Sequence, residues 1–252
     1  MNFVDVLLTA AFLFFIGSTL GWCIEVVFRR IFTAKKWINP GFLTGPYLPL
    51  YGFGTVGLFG ISLIPIHTGM YWLDSLLIIL IMGNAMTLIE YIAGLIFIKG
   101  LKIKLWDYSD RYANIQGIIC PLFSVLWMLV GAFFYFVISP YCINAVVWFV
   151  NHIAFAFFVG LFFGVFLVDF GHSINLTAKI TAFAKKHEIV VSFEKLKESI
   201  KDRREKRGKK ANFVFPFKSE SLSKELDDYK NESAPVKIVT EEATDYDPEN
   251  LS

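Results

Sequence analysis

Long apolar runs fill most of the first 172 residues of this chain, and no other feature constrains its fold as strongly. The first run, about Val4–Phe28, is long enough as a helix to cross the roughly 30 Å hydrocarbon core of a bilayer. Nothing basic precedes it and no small-residue cleavage site follows it, which favours a transmembrane helix over a cleavable signal. Charged residues are only 18% of the chain and become dense only after Ser173. The sequence therefore predicts an all-α, polytopic membrane helix bundle with a polar tail.

The apolar runs predict five spans, of which the second is short and rich in glycine. They lie at about Val4–Phe28, Pro49–Ile64, Trp72–Ile98, Ile115–Ile138 and Ile143–Phe170. The chain is expected to turn at Ser139–Tyr141, between the last two spans. No long internal repeat is evident in the sequence.

The connections between the predicted spans alternate in charge. Those after the first, third and fifth spans carry Arg29, Arg30, Lys35, Lys36, Lys99, Lys102, Lys104, Arg111, Lys179, Lys185 and Lys186. The connections around His67 and Tyr141 carry no Lys or Arg. By the positive-inside rule the N-terminus is outside and the C-terminus is cytoplasmic, so we expect a multi-pass protein of the cell membrane.

The stretch Asn39–Gly54 is too apolar for a solvated loop and too rich in glycine and proline for a continuous helix. Its prolines lack a backbone donor and disfavour helix in the residue before them. Two interpretations stay open. The stretch is either re-entrant backbone packed against protein at membrane depth, or an interfacial loop that leads into the next helix.

Composition divides the chain into three parts. Residues 1–172 form the predicted transmembrane domain, residues 173–210 a basic and helix-prone juxtamembrane segment, and residues 211–252 an acidic tail. A basic segment beside a membrane is attracted to anionic lipid. The acidic tail has too few apolar residues to offset the entropy of ordering, so we predict that it is disordered.

Carboxylates within and beside the spans predict a polar cavity. Glu25 precedes Arg29 by four residues, the favourable order for a helical ion pair, and Glu90 lies deeper in the third span. We expect both carboxylates to face one cavity open to the cytoplasm, with Arg29 or Arg111 as the compensating charge. The candidate binding residues are Glu25, Asn39, Tyr47, Tyr51, Glu90, Trp106, Asp107 and Asn114. The simpler alternatives are an interfacial salt bridge at Glu25 and a cap of the following helical turn at Asp107.

No motif of a familiar catalytic or metal centre occurs in the sequence. The chain lacks a Gly-x-x-x-x-Gly-Lys-Ser/Thr phosphate-binding loop, a His-Glu-x-x-His zinc motif and a Gly-x-Ser-x-Gly nucleophile elbow. Cys23, Cys120 and Cys142 lie in or beside apolar runs, without paired metal-ligand spacing. We therefore expect no metal, no cofactor and no nucleic-acid partner, and we regard an enzyme as the less favoured interpretation.

Two blocks of residues resemble a known family. The first block is Gly21, Trp22, Glu25, Asn39, Gly41, Phe42, Leu43, Gly45, Pro46, Pro49, Tyr51 and Gly52, and the second is Glu90, Trp106, Asp107, Tyr108, Ser109, Asn114 and Gly117. Together they resemble the ABC-transporter type IV (CmpB-like) membrane proteins, over about residues 1–170. Pro40 departs from the resemblance, because a basic residue is expected there. A ligand contact made by that basic residue would be absent from this chain.

The resemblance implies a permease-like component of an ABC-type transporter that lies in the lipid bilayer and works with a separate ATPase subunit. Five spans are few for a transport pathway, so a homodimer is expected, and Gly160 and Gly164 have the spacing of a close helix contact. Two alternatives stay open. One is a membrane-embedded lipid-binding protein or enzyme with a carboxylate pocket facing the cytoplasm, and the other is a regulatory protein that acts through its tail.

Overall fold

The computed structural model describes residues 2–33, 37, 39–206 and 222–232. The helices are α1 (Phe3–Phe28), α2 (Pro49–Ser62), α3 (Tyr71–Gly94), α4 (Pro121–Phe133), α5 (Ser139–Asn151), α6 (Ala156–Lys186), α7 (Phe193–Lys206) and α8 (Leu222–Glu232). There are also three π-helical segments in the described residues. Arg29–Thr33 extends α1, Leu95–Gly100 extends α3, and Phe134–Ile138 joins α4 to α5.

Among the residues that the structure describes, four helices are long and apolar enough to cross a membrane. They run over Phe3–Phe32, Tyr71–Gly100, Pro121–Asn151 and Ile153–Lys186. Their lipid-compatible length and composition follow from the apolar runs of the sequence. The prediction of an all-α, multi-pass membrane bundle is therefore confirmed.

The predicted second span differs from the others. α2 has 14 residues, which corresponds to about 21 Å of helix and is shorter than the roughly 30 Å hydrocarbon core. The preceding residues 39–48 are not helical, since prolines and glycines occupy them, and α2 begins only where Pro49 can take the first helical position. Helix length and composition thus identify four candidate spans, and α2 alone is too short to be the fifth that was predicted.

The predicted turn at Ser139–Tyr141 is wrong. The helix runs without a break from Pro121 to Asn151, and it ends at His152, whose φ and ψ of −125° and 53° leave the helical region. Pro140 cannot donate a backbone hydrogen bond, but the π-helical segment before it re-routes the local bonds and lets the helix continue. The predicted start at Ile115 is also too early, because α4 begins at Pro121.

Glycines let α1 and α2 approach each other closely. A Cβ atom at Gly17 would lie 2.2 Å from Thr55, and one at Gly21 would lie 2.3 Å from Tyr51. On the other face of this contact, a Cβ atom at Gly52 would lie 2.7 Å from the ring of Phe14. Gly17 and Gly21 on α1 thus allow α2 to pack antiparallel and close against α1.

The tail unit consists of the end of α6, α7, α8 and a two-stranded parallel sheet. β1 (Ile103–Lys104) pairs with β2 (Val191–Ser192), so the connection after α3 is part of this unit. Its core contains the buried residues Ile103, Leu176, Ile180, Ala184, Ile189, Val191, Phe193, Leu196, Ile200, Leu222, Leu226 and Tyr229.

Helix α8 differs from the predicted disorder of residues 211–252. Leu222, Leu226 and Tyr229 recur at helical spacing and bury one face of α8. The buried ion pair between Arg203 and Glu225, at 2.8 Å, ties α8 to α7. Residues 211–221 and 233–252 lie outside the described residues, so for them disorder stays a prediction.

Candidate functional site

The central segment, residues 39–48, is a non-helical stretch that packs against α1 and α6. The buried side chain of Asn39 organises its start. It accepts a hydrogen bond from Trp22 Nε1 at 2.6 Å and donates to the carbonyl of Thr44 at 2.9 Å. The end of the segment is joined to α1, because the amide of Leu48 donates to the carbonyl of Ser18 at 3.0 Å. These bonds give part of the polar backbone of the segment partners within the protein.

Asp169 on α6 holds the middle of the central segment. Its carboxylate accepts hydrogen bonds from the amides of Thr44 and Gly45, at 3.1 and 2.8 Å, and from the hydroxyl of Tyr47 at 2.8 Å. The Thr44 hydroxyl also donates to it. A Cβ atom at Gly45 would lie 2.3 Å from the ring of Tyr47, so only glycine lets Tyr47 reach the carboxylate.

Lys197 on α7 holds the same segment from the tail unit. It is 5% exposed, and its ammonium donates to the carbonyls of Asn39 and Gly41 at 2.8 and 2.6 Å. Gly41 has a φ of +73°, a conformation that glycine adopts at little cost, and this turns its carbonyl toward the lysine. The central segment is therefore joined to α1, α6 and α7 together.

Glu25 lies at the edge of this arrangement. Its carboxylate pairs with Arg29 at 2.8 Å, as their spacing on α1 predicts, and accepts a hydrogen bond from the hydroxyl of Tyr51 at 2.7 Å. Arg29 is thus the compensating charge for Glu25. Arg111, the other cation considered, is exposed.

Glu90 is the most buried carboxylate of the predicted set, at 5% exposure. One oxygen accepts a hydrogen bond from the Tyr108 hydroxyl at 3.0 Å, and the other accepts from Trp127 Nε1 at 2.8 Å. Burial, the charge of Glu90 and the hydrogen bond to it raise the pKa of Tyr108 well above its ordinary value, with smaller contributions from Cys120 and Glu25.

The loop between α3 and α4 is shaped by three residues of the predicted site. Asp107 accepts from the Ser109 amide and from Lys104, at 3.0 and 2.8 Å. Burial raises the pKa of Asp107, but these hydrogen bonds outweigh it and hold the pKa below its ordinary value. Trp106 Nε1 donates to the carbonyl of Ile118 at 2.9 Å.

Asn114 completes that loop. It donates to the carbonyl of Arg111 at 2.9 Å and accepts from the amide of Gly117, also at 2.9 Å. Trp106, Asp107 and Asn114 therefore hold the loop around Tyr108, the partner of Glu90. Asp107 accepts from an amide at a non-helical turn, whereas its simpler interpretation supposed a helical turn.

The predicted residues thus fall into three groups rather than around one shared opening. Glu25 pairs with Tyr51, whereas Asn39 and Tyr47 belong to the central segment, and Glu90 belongs with the loop. An open pocket adjoins the central segment, and it is lined by Arg29, Asn39, Pro40, Gly41, Leu105, Phe193 and Lys197. Within the described ranges, no three His, Cys, Asp or Glu side chains form a group that could hold a metal ion.

The predicted set omits two side chains that hold the central segment, Asp169 and Lys197. A signal for Asp169 was present, because a carboxylate at the end of an apolar helix needs partners and Ser173 follows it by one turn. Lys197 gave no comparable signal, since it lies in a segment where lysines are frequent.

Two halves of the bundle share an unexpected construction. In each half, a helix carries a glutamate that accepts a hydrogen bond from a tyrosine, and the helix continues as a π-helical segment. A loop held by the hydrogen bonds of an asparagine follows, and the next helix begins with proline. The residues in these positions are Glu25 and Glu90, Asn39 and Asn114, and Pro49 and Pro121. Gly41 and Gly117, which follow the asparagines, have positive φ of +73° and +67°. The tyrosines differ in place, because Tyr51 lies on α2 and Tyr108 lies in the loop.

Comparison with known proteins gives one match. The model of the family described as "Putative ABC-transporter type IV" matches residues 12–174. This confirms the resemblance found in the two residue blocks. No curated protein and no solved structure matches the chain.

Proposed function

Because the chain belongs to the family described as "Putative ABC-transporter type IV", we propose that it is the permease-like membrane subunit of an ABC-type transporter. A separate ATPase subunit supplies the energy, since the sequence contains no phosphate-binding loop of its own. The observation that carries this proposal is the buried link from Lys197 on α7 to the central segment.

Through that link, a partner that binds the tail unit can displace the central segment inside the bundle. Displacing α7 moves the Lys197 ammonium, and the carbonyls of Asn39 and Gly41 must follow it or lose their hydrogen bonds. The same segment is fixed to α6 through Asp169, so its movement is passed to a membrane helix. A two-way connection of this kind is what a permease needs in order to respond to an ATPase.

The proposal includes an orientation in the cell membrane, with the N-terminus outside and the C-terminus cytoplasmic. Its support is the alternation of basic and uncharged connections and the antiparallel packing of α2 along α1. In this arrangement α2 and the residues after it make a short fifth passage back to the outer side. Reporter fusions after His67 and after Lys102 should give signals from opposite sides, and signals from the same side would contradict the map.

A homodimer is part of the same proposal. A Cβ atom built at Gly160 or at Gly164 on α6 meets nothing within 4 Å, so this close-packing face is open in a single chain. Cysteine introduced at Gly164 should form a disulfide between two chains in membranes. Cysteine introduced at Phe158, an exposed residue about 120° around α6 from Gly164, is the matched control.

Co-purification tests the function itself. The tagged chain is captured from membranes at native expression level, and the captured proteins are examined for an ATPase subunit and for ATP hydrolysis that depends on the chain. Lys195→Glu changes an exposed residue of α7 and should weaken capture if the partner docks there. Capture without any ATPase subunit would contradict the proposal.

The alternative of a lipid-binding protein or enzyme has weaker support. Glu25, Glu90 and Asp107 each already accept hydrogen bonds from protein side chains. The open pocket beside the central segment is lined by Arg29 and Lys197 rather than by these carboxylates. A purified sample that carries bound lipid and turns it over would favour this alternative.

A further inference from the structure

Glu90 is a buried carboxylate without a counter-charge. Among the described residues no cation lies within ion-pair distance of it, whereas Glu25 has Arg29 at 2.8 Å. An uncompensated charge in a membrane helix is costly. A carboxylate in such a position therefore either functions as an ion or is neutralised.

The charge that neutralises Glu90 must be small. The side chain is 5% exposed and lies between Tyr108 and Trp127, with the Tyr108 ring stacked on Phe123 at 4.1 Å. The open pocket of the structure does not include Glu90 among its lining residues. A proton needs no space beyond the hydrogen bonds already present.

The two hydrogen-bond partners of Glu90 suit both protonation states. Trp127 Nε1–H can only donate, so the oxygen that it contacts accepts in either state. Tyr108 contacts the other oxygen, and a hydroxyl can donate or accept. When Glu90 is ionised Tyr108 donates to it; when that oxygen carries a proton, the carboxylic acid donates and Tyr108 accepts.

We propose that Glu90 is a reversible proton-binding site within the membrane domain, with Tyr108 as the partner that reverses its hydrogen bond. The proton comes from water and bonds to the oxygen facing Tyr108, while the oxygen facing Trp127 becomes the carbonyl oxygen. The ionisable and charged groups around the site are Glu25 and Arg29 on α1, Tyr51 on α2, Tyr108 in the loop and Cys120 before α4. This proposal goes beyond the transport role and does not depend on an ATPase partner.

Binding a proton at Glu90 has a structural consequence. The loop around Tyr108 is joined to β1 of the tail unit within a few residues, and β1 pairs with β2 before α7. Reversal of the Tyr108 hydrogen bond therefore acts on a loop that is continuous with the tail unit. The protonation state of Glu90 is in this way connected to the side of the protein that carries α7.

Infrared difference spectroscopy of the full chain in lipid nanodiscs tests the proposal. Spectra recorded between about pH 8 and about pH 5 should show the carbonyl band of a carboxylic acid appear on acidification, with about one proton taken up per chain by this group. Glu90→Gln should remove the band and that proton. Its amide reproduces the hydrogen-bond pattern of the protonated acid, so the variant is expected to fold.

Two further variants separate the site from its neighbours. Glu25→Gln should leave the band in place, since Glu25 has its own counter-charge in Arg29. Tyr108→Phe should keep the band but shift it to higher frequency, because the acid proton loses its acceptor. A band that persists in Glu90→Gln, or a wild-type spectrum without a carboxylic acid band in this pH range, overturns the proposal.

Discussion

Replacing Asp169 by asparagine tests whether one carboxylate holds the central segment. The substitution keeps the shape of the side chain but removes its charge and turns one of its two oxygens into an NH2 donor. In the structure both oxygens accept, and the Gly45 amide and Tyr47 hydroxyl donate to the same one. With its oxygen kept toward Gly45 and Tyr47, the amide turns its NH2 toward the Thr44 hydroxyl, which must then accept rather than donate.

The expected cost follows from those bonds. The bonds from the Thr44 amide, the Gly45 amide and the Tyr47 hydroxyl become neutral ones, each weaker by about 1 kcal/mol. The central segment should therefore open more easily by about 3 kcal/mol, which is a factor of more than about 100 in the opening equilibrium. The anchors at Asn39 and Leu48 remain, so the loss is local.

Hydrogen–deuterium exchange of the Thr44 and Gly45 amides measures this opening directly, because both amides donate to Asp169. Their exchange should accelerate by at least about 100-fold in Asp169→Asn. Ser173→Ala is the matched control, since it removes only the 3.4 Å hydrogen bond to the same carboxylate and should change exchange little. Equal protection in wild type and Asp169→Asn would refute the reasoning.

Three further predictions concern other contacts of the structure. Lys197→Met keeps the buried stem but removes two hydrogen bonds, and should make the central segment more sensitive to protease, whereas the exposed Lys195→Met should not. Gly21→Ala places a methyl group 2.3 Å from Tyr51 of α2, so it should lower the free energy of unfolding by about 1–3 kcal/mol, measured as a lower Tm. Gly57→Ala is its control, because a methyl group there meets nothing within 4 Å and the Tm should not change. The stability that Asp107 gives its loop is present above the ordinary carboxyl pKa and is lost as pH falls through the lowered pKa of Asp107. Asp107→Asn should therefore speed hydrogen exchange of the Ser109 amide at neutral pH but not in strong acid.

The membrane bundle could be predicted from the sequence because long apolar runs leave a chain few other structures in lipid. The ion pair of Glu25 with Arg29 was predictable for a similar reason, since four residues on one helix fix two side chains side by side. The break between the last two spans was not, because a proline normally marks a helix end. Here a π-helical segment absorbs Pro140, and the real break falls at His152.

Long-range contacts account for most of what the sequence left undetermined in the candidate site. Asp169 and Lys197 act on residues more than 100 positions away, and no local pattern couples them to the central segment. Helix α8 lay within a segment whose composition favoured disorder, although three apolar residues at helical spacing were enough to dock it. Average composition does not detect a short amphipathic face.

The distance along the chain between the central segment and its anchors also fixes an order of events during synthesis. Asp169 follows Thr44 by 125 residues, and Lys197 follows Asn39 by 158. At about 5–20 residues per second, the segment is exposed for roughly 6–25 s before Asp169 is even made. During that interval the α1–α2 pair can already be packed, while the amides of Thr44 and Gly45 have no carboxylate to bind. The first loop to enter the membrane is thus among the last to reach its final structure, and a nascent chain that stops before Lys197 carries all four long spans but an unfinished first loop.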